Sequence, residues 1–280
     1  MTPAQLKQIL PQLTLAKAEA ILPAIVEACR RWDITTKLRV AAFLAQCGHE
    51  SGGFQFLTEF ASGDAYEGRA DLGNTQPGDG RRYKGRGAIQ LTGRNNYKRA
   101  GQELGQDFEN NPERVAQMPW AMQVSGWYWR RGSSRGDLNK FADTGTTPVT
   151  LSATDQNRWN RQRGQEGSDT SAFDKPAVSF DYCTLGVNGG FRGKKERDAI
   201  YARALAFLPE NPLDSDVVLV PMAQRAARGA GAQSTARGSG EKKTQEAEAE
   251  ELALPVIALV GSAAFLVYKV LKRRSARQAT

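Results

Sequence analysis

At 280 residues, with 40% hydrophobic and 24% charged side chains, the chain can bury one large core or two ordinary ones, which excludes wholesale disorder. Three widely spaced cysteines, Cys29, Cys47 and Cys183, and one histidine, His49, exclude a disulfide framework and any metal site needing two imidazoles. No metal or cofactor is expected, so the chemistry falls to carboxylates; the net charge of +8 points to an anionic partner, but no helix-turn-helix or zinc-finger spacing makes that partner nucleic acid.

The first 31 residues place Leu15, Ile21, Leu22, Ile25 and Val26 at helical spacing, so they read as helix and not as a signal peptide. Thr35 is positioned to cap a helix that buries Leu38, Ala41, Ala42, Leu44 and Ala45 and stops near Ser51-Gly52-Gly53. Glu50 then stands at the apolar end of a helix beside His49, where loss of water raises a carboxyl pKa and suits a proton donor. By itself, Glu50 reads first as an ordinary solvated helix-end glutamate.

Alternation between Arg86 and Leu91 is the one hint of a small sheet. Asn111-Pro112 opens a segment with Val115, Met118, Trp120, Val124 and Trp127, with Pro119 as a kink or break. Residues 145–175 are polar and read as a surface insertion without a core, and a last helix from Lys194 to Leu208 closes a domain spanning 1–208.

Residues 209–251 have the composition of a flexible linker. From Leu252 to Leu271 the chain is apolar apart from Lys269, about 20 residues or about 30 Å of helix, enough to cross a bilayer. Acidic residues precede it and the basic tail 272–280 follows, which predicts a single-pass anchor in membrane lipid with the tail in the cytosol.

Three motifs in order, Phe43 to Phe54, Tyr83 to Tyr97 and Val187-Asn188-Gly189-Gly190, resemble the family 19 glycoside hydrolases, the chitinases and phage endolysins of lysozyme-like fold. Ala65 to Arg69 and Leu72 to Asp79 look like the endolysin branch. The resemblance covers about residues 1–208 and implies a mainly α, bilobed domain with a small β element and a substrate cleft, to which hydropathy adds the C-terminal transmembrane helix.

The same resemblance implies Glu50 as general acid and a second glutamate as the base that activates water. Glu59 lies nine positions downstream, the spacing of bacterial and phage members, and Glu67 is the alternative base. Gln90, Thr92, Asn96 and Tyr97 in the second motif and Asn188 in the third are implied substrate contacts, with His49 and Arg197 supporting from behind. Thr92 stands where the chitinases usually carry serine, and Ala88 where they carry proline. The implied partner is the β-1,4-linked glycan of peptidoglycan, with chitin as the alternative substrate and an inactive, membrane-tethered wall-binding protein as the alternative class. The implied setting is phage-linked wall penetration or lysis, on a viral membrane or the host inner membrane with the catalytic domain on the wall side.

Overall fold

Threonine hydroxyls start the first three helices: Thr2 accepts from the Gln5 amide (3.2 Å), Thr14 from Lys17 (3.1 Å) and Thr36 from Arg39 (3.3 Å). The third cap is therefore one residue later than Thr35. In the computed structural model, which describes residues 1–214, the helices are α1 (Pro3–Ile9), α2 (Leu15–Arg31), α3 (Lys37–Glu50), α4 (Asp79–Arg82), α5 (Arg94–Leu104), α6 (Trp120–Trp127), α7 (Asn139–Ala142), α8 (Ala153–Gln165), α9 (Ser179–Asn188) and α10 (Lys194–Phe207).

The centre of the domain is α3, buried at every position from Val40 to His49. Small residues let its neighbours close on it. A Cβ added to Gly48 would stand 2.8 Å from Leu10 Cδ2, so Leu10, the residue that ends α1, packs against bare backbone there. The same device seats Trp32 on α6: a Cβ on Gly126 would stand 2.2 Å from Trp32 Cδ1, while the indole N–H donates to Gln123 Oε1 (3.2 Å). Pro119 separates a short 3₁₀ turn, Pro112–Ala116, from α6, as the break in periodicity predicts. All three cysteines are buried and free, and burial pushes their thiols up, Cys29 to about 12.

Three expectations are corrected. The small β element is absent as a sheet among the described residues: Arg86 and Leu91 pair with each other across a tight turn, and Thr58 pairs with Arg86, as isolated bridges. The turn is closed by Gln90, whose φ of 55° lies in the left-handed region, so Gln90 and Thr92 do not share one side of an extended strand. The transmembrane part of the fold class, and with it the membrane location, is corrected to this extent: no helix among the described residues is long and apolar enough to cross a membrane. The run 252–271 itself, the tail 272–280 and the linker beyond residue 214 lie outside the described residues.

The third correction concerns residues 145–175, which carry a core of their own. Ser152 caps α8 through its hydroxyl, which accepts from the Asp155 amide (3.2 Å), and Trp159 on α8 is buried against Phe173, Leu185 and Phe191. Its ring meets Phe173 and Phe191 edge-on at 4.9 and 5.0 Å, and the buried Lys194 ammonium lies 5.1 Å from its centroid. Lys194 in turn bonds Asp181 (2.6 Å) and Asp198 (2.9 Å), tying α9 to α10 beneath α8. Trp159→Ala should therefore destabilise the protein by about 3–5 kcal/mol. Thermal unfolding, with proteolysis near α8 as a second readout, checks this; a loss below about 1 kcal/mol would restore the coreless description.

Candidate active site

Glu50 is the last residue of α3, and its side chain is only 7% exposed. Charge there is disfavoured twice, by loss of water and by the partial negative charge at a helix C-terminus. The compensation comes from α10. Fully buried Arg197 donates from Nη2 to Glu50 Oε1, from Nη1 to Gln46 Oε1 (2.5 Å) and from Nε to the Arg192 carbonyl (3.2 Å). Gln46 passes the order on, its Nε2 donating to Thr184 Oγ1 on α9 (3.0 Å).

Burial pushes the Glu50 carboxyl up, but attraction to Arg197 and His49, with hydrogen bonds from Arg197 and Asn188, outweighs it and holds the group below its ordinary value. This reverses the raised pKa expected from a helix end beside apolar residues. The unforeseen partner is a guanidinium 147 residues away in the chain. His49 does not face the chemistry as a free base: its Nδ1 is 2.8 Å from Glu196 Oε2, and its ring fills the space over Gly193, where a Cβ would stand 2.2 Å from the imidazole. Gly193 has φ of 72°, a conformation glycine adopts without strain.

Glu59 is held from two directions. Tyr66 donates its hydroxyl to Oε1 (3.0 Å) and the Gly85 amide donates to Oε2 (2.9 Å). A Cβ on Gly85 would stand 3.1 Å from Glu59 Oε2 and 2.8 Å from Gln90 Oε1, so that glycine lets both polar groups approach one backbone position. Burial raises the Tyr66 hydroxyl, with further upward pushes from Glu59 and, more weakly, from Glu50. Tyr66 therefore lies within the electrostatic reach of both carboxylates. Tyr128, in the turn that follows α6, is pushed up to about 12 by burial and then by the Glu50 charge, and its hydroxyl donates to the Gly186 carbonyl (3.2 Å).

Glu67 is differently employed. Its oxygens accept the amides of Gly78 (2.6 Å) and Gly80 (2.7 Å), which pins the loop ahead of α4. Asn74 bridges the same loop to α5, donating to the Tyr66 carbonyl and accepting from the Arg94 amide, both at 2.9 Å. Arg94 clamps Asp79 with two nitrogens and reaches Glu109 with a third. The loop motifs are thus a scaffold for Tyr66, a role the sequence reading did not give them. A cavity of about 620 Å³ beside this scaffold, lined by Asp79, Arg82, Tyr83 and Arg94, contains neither Glu50 nor Glu59. Its arginines, Arg81 among them, are engaged by Asp64, Asp79, Glu109 and backbone carbonyls.

Thr92 donates to the Gln90 carbonyl (3.0 Å) and Asn96 donates to the Thr92 carbonyl (2.8 Å), a half-buried polar row. Tyr97 does not join that row: it is fully buried, donates to the Lys84 carbonyl (2.6 Å) and accepts from Arg86, so it is a support and not a sugar contact. Among the described residues no group of three His, Cys, Asp or Glu side chains is placed to hold a metal ion.

A family model described as "Chitinase class I", that of glycoside hydrolase family 19, matches residues 22–164. The chain is 31% identical over 144 residues to a glycosyl hydrolase family 19 domain-containing protein of Haemophilus influenzae, spanning 40% of this chain and 71% of that protein. It is 38% identical over 170 residues to an acidic 27 kDa endochitinase of Solanum lycopersicum, spanning 55% of this chain and 65% of that enzyme. Among solved structures, chitinase C from Streptomyces griseus HUT6037 is similar at a TM-score of 0.45 and 23% identity, covering 76% of this chain and 79% of that one.

The Glu50 pair has a pH signature. A carboxyl held below its ordinary value in the fold stabilises the fold fully above the unfolded value of about 4.5, and that contribution is lost as pH falls through the lower, folded value. The wild-type melting temperature should therefore fall more steeply below about pH 4.5 than that of Glu50→Gln, which has no proton to bind. Parallel curves from pH 6 downward would show that the Arg197 pair does not stabilise the folded chain.

Proposed function

Because the chain belongs to glycoside hydrolase family 19, we propose that it hydrolyses β-1,4 bonds of N-acetylated glycan with inversion, using Glu50 as acid and Glu59 as base. Glu50 gives its proton to the glycosidic oxygen as the C1–O bond breaks. Glu59 takes a proton from water as that water attacks C1 from the opposite face, so one water is consumed and the new reducing end is inverted. Inversion calls for carboxyls roughly 6.5–9.5 Å apart, leaving room for the water. Glu50 must be protonated before each turnover, and a glycan that displaces water from the cleft adds to the burial that already favours the neutral form. Gln90, Thr92, Asn96 and Asn188 hold sugar amides and hydroxyls.

The observation that carries the reading is the separation of duties among three glutamates. Glu50 is buried against a cation, Glu59 is held by one hydroxyl and one amide, and Glu67 is spent on two loop amides. Glu67 is on this ground a structural residue and not the base. Between the two glycans, we favour peptidoglycan, because the net charge of +8 draws the enzyme to an anionic envelope. The endochitinase of Solanum lycopersicum favours chitin.

Wild type and the three Glu→Gln variants should be assayed side by side on purified peptidoglycan and on chitin. Glu50→Gln should lower kcat by about 10²–10⁴-fold, Glu59→Gln should follow, and Glu67→Gln should mainly lower the melting temperature. A larger rate loss in Glu67→Gln than in Glu59→Gln would move the base to Glu67. Products with retained anomeric configuration would reject inversion, and cleavage of chitin alone would settle the substrate against peptidoglycan.

A further inference from the structure

Phe60, the residue after Glu59, is 62% exposed, although rings of that size are ordinarily hidden. It meets the Phe56 ring edge-on with centroids 4.8 Å apart. Phe56 lies in turn against bare backbone two residues beyond Glu50: a Cβ on Gly52 would stand 2.8 Å from Phe56 Cδ2. With φ of 56° at Gly52, a side chain there would be strained as well as crowded. The backbone of Phe56 is fixed to both halves of the site, its amide donating to the Ser51 carbonyl (3.0 Å) and its carbonyl accepting from Gln90 Nε2 (3.4 Å). The two rings form a ledge from the end of α3 to the segment that carries Glu59.

We propose that this ledge is a sugar subsite, in which the Phe60 ring takes the C–H face of one pyranose of the glycan chain. The inference rests on the reading that the chain acts on N-acetylated glycan, and it adds a contact outside the polar row of Gln90, Thr92 and Asn96. The size of the surface selects the occupant. A protein partner needs an interface of about 1,000 Å² or more, far beyond two rings, whereas one pyranose matches one phenyl ring in area. A pyranose also has an apolar face and a polar edge, which suits a ledge of uncharged carbon beside carboxylates and amides. Phe56 contributes by holding the Phe60 ring in place, which removes the entropy cost of ordering an exposed side chain on binding.

The test uses the full chain carrying Glu59→Gln, so that glycan is bound without being cut. Glutamine fits there: its oxygen accepts from Gly85, and the Tyr66 hydroxyl can rotate to accept from its amide. Calorimetric titration with the soluble hexamer of β-1,4-linked N-acetylglucosamine should give a Kd about tenfold higher when Phe60→Ala is added, with Phe60→Trp restoring affinity. The melting temperature should hold, because Phe60 buries little. In the otherwise wild-type chain, Phe60→Ala should raise KM more than it lowers kcat. An unchanged Kd in Phe60→Ala, an equal loss in Phe60→Ala and Phe60→Trp, or no hexamer binding by the parent variant would each overturn the subsite. If the parent binds and Phe60→Ala weakens it while wild type cleaves neither glycan, the subsite stands and the hydrolase reading falls.

Discussion

A buried guanidinium holds this site together. Arg197 is inaccessible to water, and so is most of Glu50, so each would be costly without the other. Their contact joins α3 to α10, and Gln46 extends it to α9 through Thr184. Loss of either partner leaves an unpaired charge in the core, typically a matter of about 3–5 kcal/mol, so the pair also fixes the packing around it. The arrangement also sets the electrostatics of Glu50, because the cation that makes the burial tolerable keeps its carboxyl below the ordinary carboxylate range.

Glu59 depends on a different kind of support. Among the described residues no cation pairs with it; a phenol hydroxyl and a backbone amide donate to it. The phenol is carried by a loop whose shape is set by Glu67, Asn74, Asp79 and Arg94, none of which touches Glu59. Glu50 is thus built into the rigid core and Glu59 is framed by a hydrogen-bonded loop, which gives two carboxylates of the same chemical type different surroundings.

The sequence made the position of Glu50 legible because α3 begins at a capping threonine and ends at Ser51-Gly52-Gly53, and both signals are local. Its electrostatics were not legible, since Arg197 approaches from another helix and no local window contains both. The segment 145–175 failed for the same reason: Trp159 is the one large apolar residue of a polar helix, and its neighbours Leu185 and Phe191 arrive from later in the chain. The alternation at Arg86 to Leu91 misled because two residues pairing across a turn produce the same pattern as a short strand, and only the backbone angle at Gln90 separates them. Tyr97 sits in the motif of its polar neighbours, yet the rotation of about 100° from one helical residue to the next carries it inward from Asn96.

The core around Trp159 bears on where this domain can be divided. The family match ends at residue 164, inside α8, one residue before that helix ends. A truncation placed there would keep Trp159 and discard Phe173, Leu185 and Phe191, leaving an indole bare in water and an aggregation-prone surface. It would also remove Lys194, Arg197 and Asn188, stranding Glu50 without its cation. The similarity boundary is therefore not a folding boundary, and the smallest self-sufficient fragment must run at least through α10.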